Sequence, residues 1–177
     1  MRDLAEKWSA VPDWERAVIV APGLVVRSLS GFSQQLVSGD IAAWARRSGT
    51  EAGAAGALSI ASGGRYALHA ARDRVLAVSE TPFVIEPGWH GQGFAVSSCD
   101  AGFHMIEIEG ERLGVLWARA TSLDGRGATP GAAILFAGVS VLCCRHGHAD
   151  RLRIHVDRGL APYLWTWLER IPDLYGA

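Results

Sequence analysis

Apolar and polar residues alternate along Arg151–Asp157, with Leu152, Ile154 and Val156 on one side and Arg151, Arg153, His155 and Asp157 on the other. That two-residue repeat predicts a strand with one buried and one wet face. From Leu160 the period lengthens: Leu160, Leu164, Trp167, Leu168 and Ile171 make the stripe of an amphipathic helix. Gly159 is placed to cap it, Pro162 falls in the first turn where a missing N–H costs little, and Pro172 ends it. Tyr163 and Trp165 lie at the two margins of this stripe. Three aromatics across so wide an arc cover more than one core face needs, so Tyr163 and Trp165 are the candidate partner interface.

The same reading runs along the chain. Residues 1–15 form a loose, charged leader; Arg16–Ile19 and Leu24–Ser28 are short strands broken at Pro22-Gly23. A helix over Gly39–Arg47 has Asp40 as its cap and arginines in its last turn. Leu58–Ile60, Tyr66–Ala70 and Val75–Val78 are strands, and Glu86–Gly93 is the strongest break. Beyond it come a strand at Phe103–Glu109 and a helix at Glu111–Ala120 with Leu113, Leu116, Trp117 and Ala120 on one face. Strands at Ala132–Phe136, Val139–Arg145 and Leu152–Val156 precede the terminal helix. The order predicts one α+β domain built of two βαββ-like halves, 16–87 and 94–177, with helices packed on one side of mainly antiparallel sheets.

Composition narrows the function classes. The 177 residues are 49% hydrophobic and 20% charged with net charge −1, which removes both a disordered tail and the basic footprint of a nucleic-acid binder. Lys7 is the one lysine, so Schiff-base chemistry and lysine phosphate clamps have no basis in the ordered part. The charged start Met1–Trp8 lacks a signal-peptide core, and no apolar run reaches membrane-spanning length. Cys99, Cys143 and Cys144 are odd in number with two adjacent, which favours reduced thiols; the expected location is cytoplasmic.

Cys144, His146 and His148 would share one side of a strand and are zinc-type ligands, yet Gly147 marks a turn and no second ligand pair accompanies them. The plainer reading makes the cysteines strand core and the histidines wet turn residues. Ser97–Asp100 lacks any nucleophile motif and reads as a polar turn, and Glu107, Glu109 and Glu111 read as a solvated strand face. No glycine loop has dinucleotide or Walker spacing. No catalytic, cofactor-binding or metal-binding residue is assigned.

Phe94–Gly110, Ala128–Ala133 and above all Val156–Leu168, with its Tyr163-Leu164-Trp165 and second Trp167, resemble the gamma subunit of heterotetrameric sarcosine oxidase. That subunit is related to the folate-binding domain of glycine-cleavage aminomethyltransferases. The resemblance covers about 58–171. It departs at Gly159, where the family has a Ser cap, and at Ser62–Tyr66, where the family's turn carries acids. It implies an aminomethyltransferase-like fold and a non-catalytic subunit of a complex that oxidatively demethylates an N-methyl amino acid. Flavins, NAD and tetrahydrofolate would then be held by larger partner subunits and none by this chain. The alternatives are a free-standing folate-binding, one-carbon-transfer module with a pocket facing Trp89, His90 and the Asp100–Phe103 turn, and a small metal or thiol protein.

Overall fold

The computed structural model describes residues 11–50 and 53–170, so most of the leader, Ile171 and the expected stop at Pro172 lie outside the described residues. The elements run β1 Val18–Ala21, β2 Leu24–Leu29, β3 Ser33–Gly39, α1 Ile41–Ser48, β4 Ile60–Ala61, β5 Arg65–Ala71, β6 Arg74–Ser79, β7 Gly88–His90 and β8 Phe94–Ser98. They continue with β9 Phe103–Glu109, α2 Leu113–Ala120, β10 Ala133–Phe136, β11 Val139–His146, β12 His148–Asp157 and α3 Ala161–Glu169. A larger sheet has the order β1-β2-β9-β12-β11-β10, with β4 set parallel against the end of β11; a smaller one has the order β5-β6-β3-β8-β7. The remaining strand pairs are antiparallel, as the sequence predicts.

Each sheet carries its helices on one side and turns the other side to its neighbour. The outer face of the larger sheet, with Ile106, Ile108, Leu152, Ile154 and Val156, packs against Leu116 and Trp117 of α2 and Leu164 and Leu168 of α3. On the smaller sheet Val37, Ala67, Val75, Phe94 and Val96 pack against Trp44 of α1. Between the sheets Tyr66, Leu68, Leu76 and Val78 meet Met105, Leu142 and Cys144.

Local chemistry accounts for the helices. The Asp40 carboxylate accepts from the Ala43 N–H at 2.8 Å, and Gly49, in the left-handed region at φ 66°, closes α1. The predicted face of α2 is the buried one. α3 differs: the Asp157 carboxylate accepts from Gly159 N–H at 2.8 Å and its carbonyl from Leu160 N–H at 2.9 Å. That turn uses up Gly159 and leaves Leu160 half-exposed as the cap, and the buried stripe is Ala161, Leu164, Trp165 and Leu168. Trp167 is partly buried at the edge of the cluster, its ring 6.1 Å from that of Phe136.

β3, β7 and β8 had no counterpart in the sequence reading, and they move the line along which the chain divides. β7 and β8 form a hairpin around the Glu86–Gly93 break and β8 pairs with β3, while the N-terminal β1–β2 hairpin joins the larger sheet beside β9. Gln34 and Gln35 hid β3, because two successive amides break the apolar alternation; both are buried and bonded, Gln35 through its Nε2 to the Ile85 carbonyl at 2.9 Å.

Candidate functional site

The side of β12 expected to be wet is where the structure departs furthest from the sequence. Arg153 and His155 face the smaller sheet and are buried, with Glu107 of β9 beside them. Arg153 Nε donates to Glu107 Oε2 at 2.9 Å, with the two side chains 9% and 10% exposed. The guanidinium also lies over the rings of Phe32 and Tyr66, at 5.5 and 5.7 Å from their centroids, so aromatic faces replace part of its lost hydration. Glu107 is therefore not a solvated carboxylate. Charge in so dry a layer persists only when paired.

A second chain of contacts crosses from sheet to sheet. Gln34 Nε2 donates to the Phe103 carbonyl at 3.2 Å, which leaves Gln34 Oε1 as acceptor for His155 Nδ1 at 2.9 Å. His155 Nε2 is then the acceptor, and the Tyr66 hydroxyl donates to it at 3.3 Å. Burial, with Arg153 adding to it, holds His155 neutral by lowering its pKa to about 3. Burial also pushes the Tyr66 hydroxyl well above its ordinary value, with Cys144 adding to it. His104 is lowered to about 4 by burial and then by Arg158; its Nε2 lies 3.1 Å from Ser28 Oγ, and its ring is 4.2 Å from Trp14. These groups are fixed in one protonation state near neutral pH, which suits a specific sheet-to-sheet register and not proton transfer.

At the end of this layer Glu109 gathers three partners: Arg151 Nη2 at 2.9 Å, His148 Nε2 at 3.3 Å and Arg27 Nη1 at 3.5 Å. The Arg151 contact foremost holds the Glu109 carboxyl below the usual range. An open cleft of about 680 Å³ lies on the helix side between α2, the Thr121–Arg126 loop and the end of β11. Clefts of about 230 and 250 Å³ reach Tyr66 and Gln34 from either end of the inter-sheet layer.

The residues singled out in the sequence are not brought together. Cys143 points to the helix side and Cys144 between the sheets; both are fully buried, and burial pushes Cys144 up to about 12. His146, expected in a wet turn, ends β11 in a buried position with Nε2 3.0 Å from the Gly63 carbonyl and its ring 5.2 Å from Tyr66. Among the described residues no three His, Cys, Asp or Glu side chains are grouped to hold a metal. Ser97 and Ser98, expected in a polar turn, end strand β8 opposite Leu36 and Gln35, and Asp100 just beyond them accepts from Gln34 N–H; Trp89 is exposed on the edge strand β7, lining none of these three clefts. A signal for the buried charges was available: Glu107 and Glu109, like Arg151 and Arg153, recur at the two-residue strand spacing, and antiparallel pairing sets Glu107 opposite Arg153 and Glu109 opposite Arg151.

Tyr163 and Trp165 part company. Tyr163 is 51% exposed with its hydroxyl donating to the Ala137 carbonyl at 3.0 Å, whereas Trp165 is 3% exposed, its ring edge-on to Trp14 and its Nε1 donating to Glu169 at 3.0 Å. The shift of stripe in α3 puts Trp165 in the core, so its ring is not surface on this chain. Trp165→Ala is expected to cost about 3–5 kcal/mol of stability. A denaturant titration checks this; a loss below about 1 kcal/mol would place the ring outside the core.

No family model and no curated protein matches the chain. Among solved structures, a chain of the heterotetrameric sarcosine oxidase from Corynebacterium sp. U-96, in complex with pyrrole 2-carboxylate, superposes with a TM-score of 0.65 over 87% of this chain and 86% of that one. This chain has the fold of a sarcosine oxidase subunit. At 18% identity the likeness is one of fold, and the near-equal shares show that the two chains are similar in length. No helix among the described residues is long and apolar enough to cross a membrane.

Proposed function

We propose that this chain is a non-catalytic, gamma-type subunit of a sarcosine-oxidase-like complex that oxidatively demethylates an N-methyl amino acid. Larger subunits would hold the flavins, NAD and tetrahydrofolate. The observation that carries this reading is the match in fold, over most of both chains and at similar length, to one chain of a heterotetrameric oxidase. The sequence of α3, with its Tyr163-Leu164-Trp165 run, supports it independently. So does the interior: its titratable groups are locked by burial and mutual bonding, and its two buried thiols are pushed far from the thiolate form. For the alternative of a free-standing folate module, Asp100 and Phe103 of the expected turn line the cleft of about 250 Å³, whereas Trp89 and His90 line none of the three clefts described above.

Affinity-tagged chain purified from its native source is expected to bring down larger subunits with visible flavin absorbance and N-methylamine oxidase activity, while the chain expressed alone is colourless. A chain that elutes from native extract without flavin subunits, or that itself holds stoichiometric flavin, overturns the reading.

A further inference from the structure

The inner face of the larger sheet is covered by the smaller sheet over only part of its area. Across β2, β9 and β12, pairing aligns Leu29, Met105 and His155 in one row, Arg27, Glu107 and Arg153 in the next, and Val25, Glu109 and Arg151 in a third. β1 extends the last two rows with Val18 opposite Arg27 and Val20 opposite Val25. Directly paired residues point to the same side of a sheet, so all of these belong to one face. At its covered end Met105, His155, Glu107 and Arg153 are buried. At the other end Arg27, Glu109 and Arg151 are partly open, and Val18 and Val20 are 51% and 77% exposed. A single buried layer thus continues into an uncovered apolar and cationic surface.

Two observations define what that surface lacks. The ladder holds three arginines, Arg27, Arg151 and Arg153, against two carboxylates, Glu107 and Glu109, and His148 also leans on Glu109. Asp150 projects to the opposite side, into the helix-side cleft. A guanidinium nitrogen at this end also goes unmet: the buried Arg151 Nε has no acceptor among the described residues. Such donors are rare in folded proteins, because each gives up hydration for nothing. The missing group is one negative charge with acceptor oxygens, a carboxylate. The exposed valines beside it call for an apolar neighbour, which a free ion does not supply.

We infer that the open end of this face, at Val18, Val20, Arg27 and Arg151, docks a segment of a larger subunit that carries a carboxylate flanked by apolar side chains. The inference rests on the proposed function for the identity of the partner and adds where and by what chemistry it binds. Charge complementarity and continuity with the buried inter-sheet layer select this occupant over a second copy of the chain or a small free carboxylate.

The test uses the whole complex, captured through tagged chain carrying Val20→Asp or Arg27→Glu, with Val84→Asp, an exposed valine of the Thr81–Pro87 loop, as control. Val20→Asp should retain the wild-type melting temperature, and Arg27→Glu, opposite Glu107 and beside Glu109, should melt a few degrees lower while staying folded at the assay temperature; both should lose at least about tenfold in recovery of the flavin subunits, while Val84→Asp assembles normally. If Val20→Asp melts early, Arg27→Glu decides alone. Wild-type chain that recovers no flavin subunit fails the functional reading and this one together; wild-type and both variants assembling equally overturns this inference alone. Self-association of the isolated chain that Val20→Asp abolishes assigns the face to a second copy and also overturns it. So does rescue of the unmet arginine by a small carboxylate: acetate raising the melting temperature of the isolated wild-type chain but not of Arg27→Glu.

Discussion

Glu107→Ala is expected to destabilise the protein by about 3–5 kcal/mol, near the upper end for a single substitution. The mutation leaves the Arg153 guanidinium charged and about nine-tenths buried, with its Nε–carboxylate bond gone and its Nη1 already lacking an acceptor. Its remaining neighbours, the faces of Phe32 and Tyr66, offer far less than a carboxylate. Removing both charges is a different experiment: Glu107→Leu with Arg153→Met replaces two desolvated ions by apolar groups in a layer that already holds Leu142 and Met105. The double variant should recover most of the loss, since a buried pair gains little over a well-packed apolar one. Urea unfolding of the single and double variants measures both terms. A single variant within about 1 kcal/mol of wild type would mean that the pair is hydrated in solution.

The second large effect is on pH. Burial lowers His155 to about 3 and His104 to about 4, and lowers His146 as well, while in the unfolded chain histidine titrates near about 6.5. Between those values the unfolded state binds protons that the folded state refuses, so stability is complete above pH about 6.5 and falls as the solution is acidified. Each fully excluded proton contributes about 1.4 kcal/mol per pH unit. Glu109, with its carboxyl held low by Arg151, adds a loss of the same sign at more acidic pH. The melting temperature should thus drop steeply between pH 6.5 and 4.5, and His155→Gln should remove about one proton from that slope whatever its cost at neutral pH. A melting temperature that stays level across this range would contradict the buried placement of both histidines.

Which parts of this fold were legible in the sequence follows from how each residue's neighbours are arranged. β9, β11 and β12, α1 and α2 carried their own signals, because alternation, the Asp40 cap and the Leu113/Leu116/Trp117/Ala120 face are local facts. β3 was lost because Gln34 and Gln35 are polar by composition and buried only through bonds to Phe103 and Ile85, far away in the chain. α3 is legible as a helix, but its buried arc includes Trp165 because Trp14, distant in the chain, and the larger sheet's core meet it there. Arg153, His155 and Glu107 read as solvated in the sequence because the sheet that buries them comes from a distant part of the chain. Alternation shows that a strand has two faces, but it does not show that a second sheet lies on the polar one.

The place of β9 between β2 and β12 sets the order in which the molecule can be assembled. All strands of the smaller sheet lie between Ser33 and Ser98, so that sheet can close while the chain is still emerging from the ribosome. The β1–β2 hairpin is made earlier yet must wait, because its partner begins at Phe103. During that interval the nascent chain carries a two-stranded ribbon with an open edge and the unshielded side chains of Val18, Val20, Val25 and Val26. A polypeptide halted before residue 103 is therefore a sticky species whatever the health of its smaller sheet. Pairing of β9 along β2 is what closes that open edge.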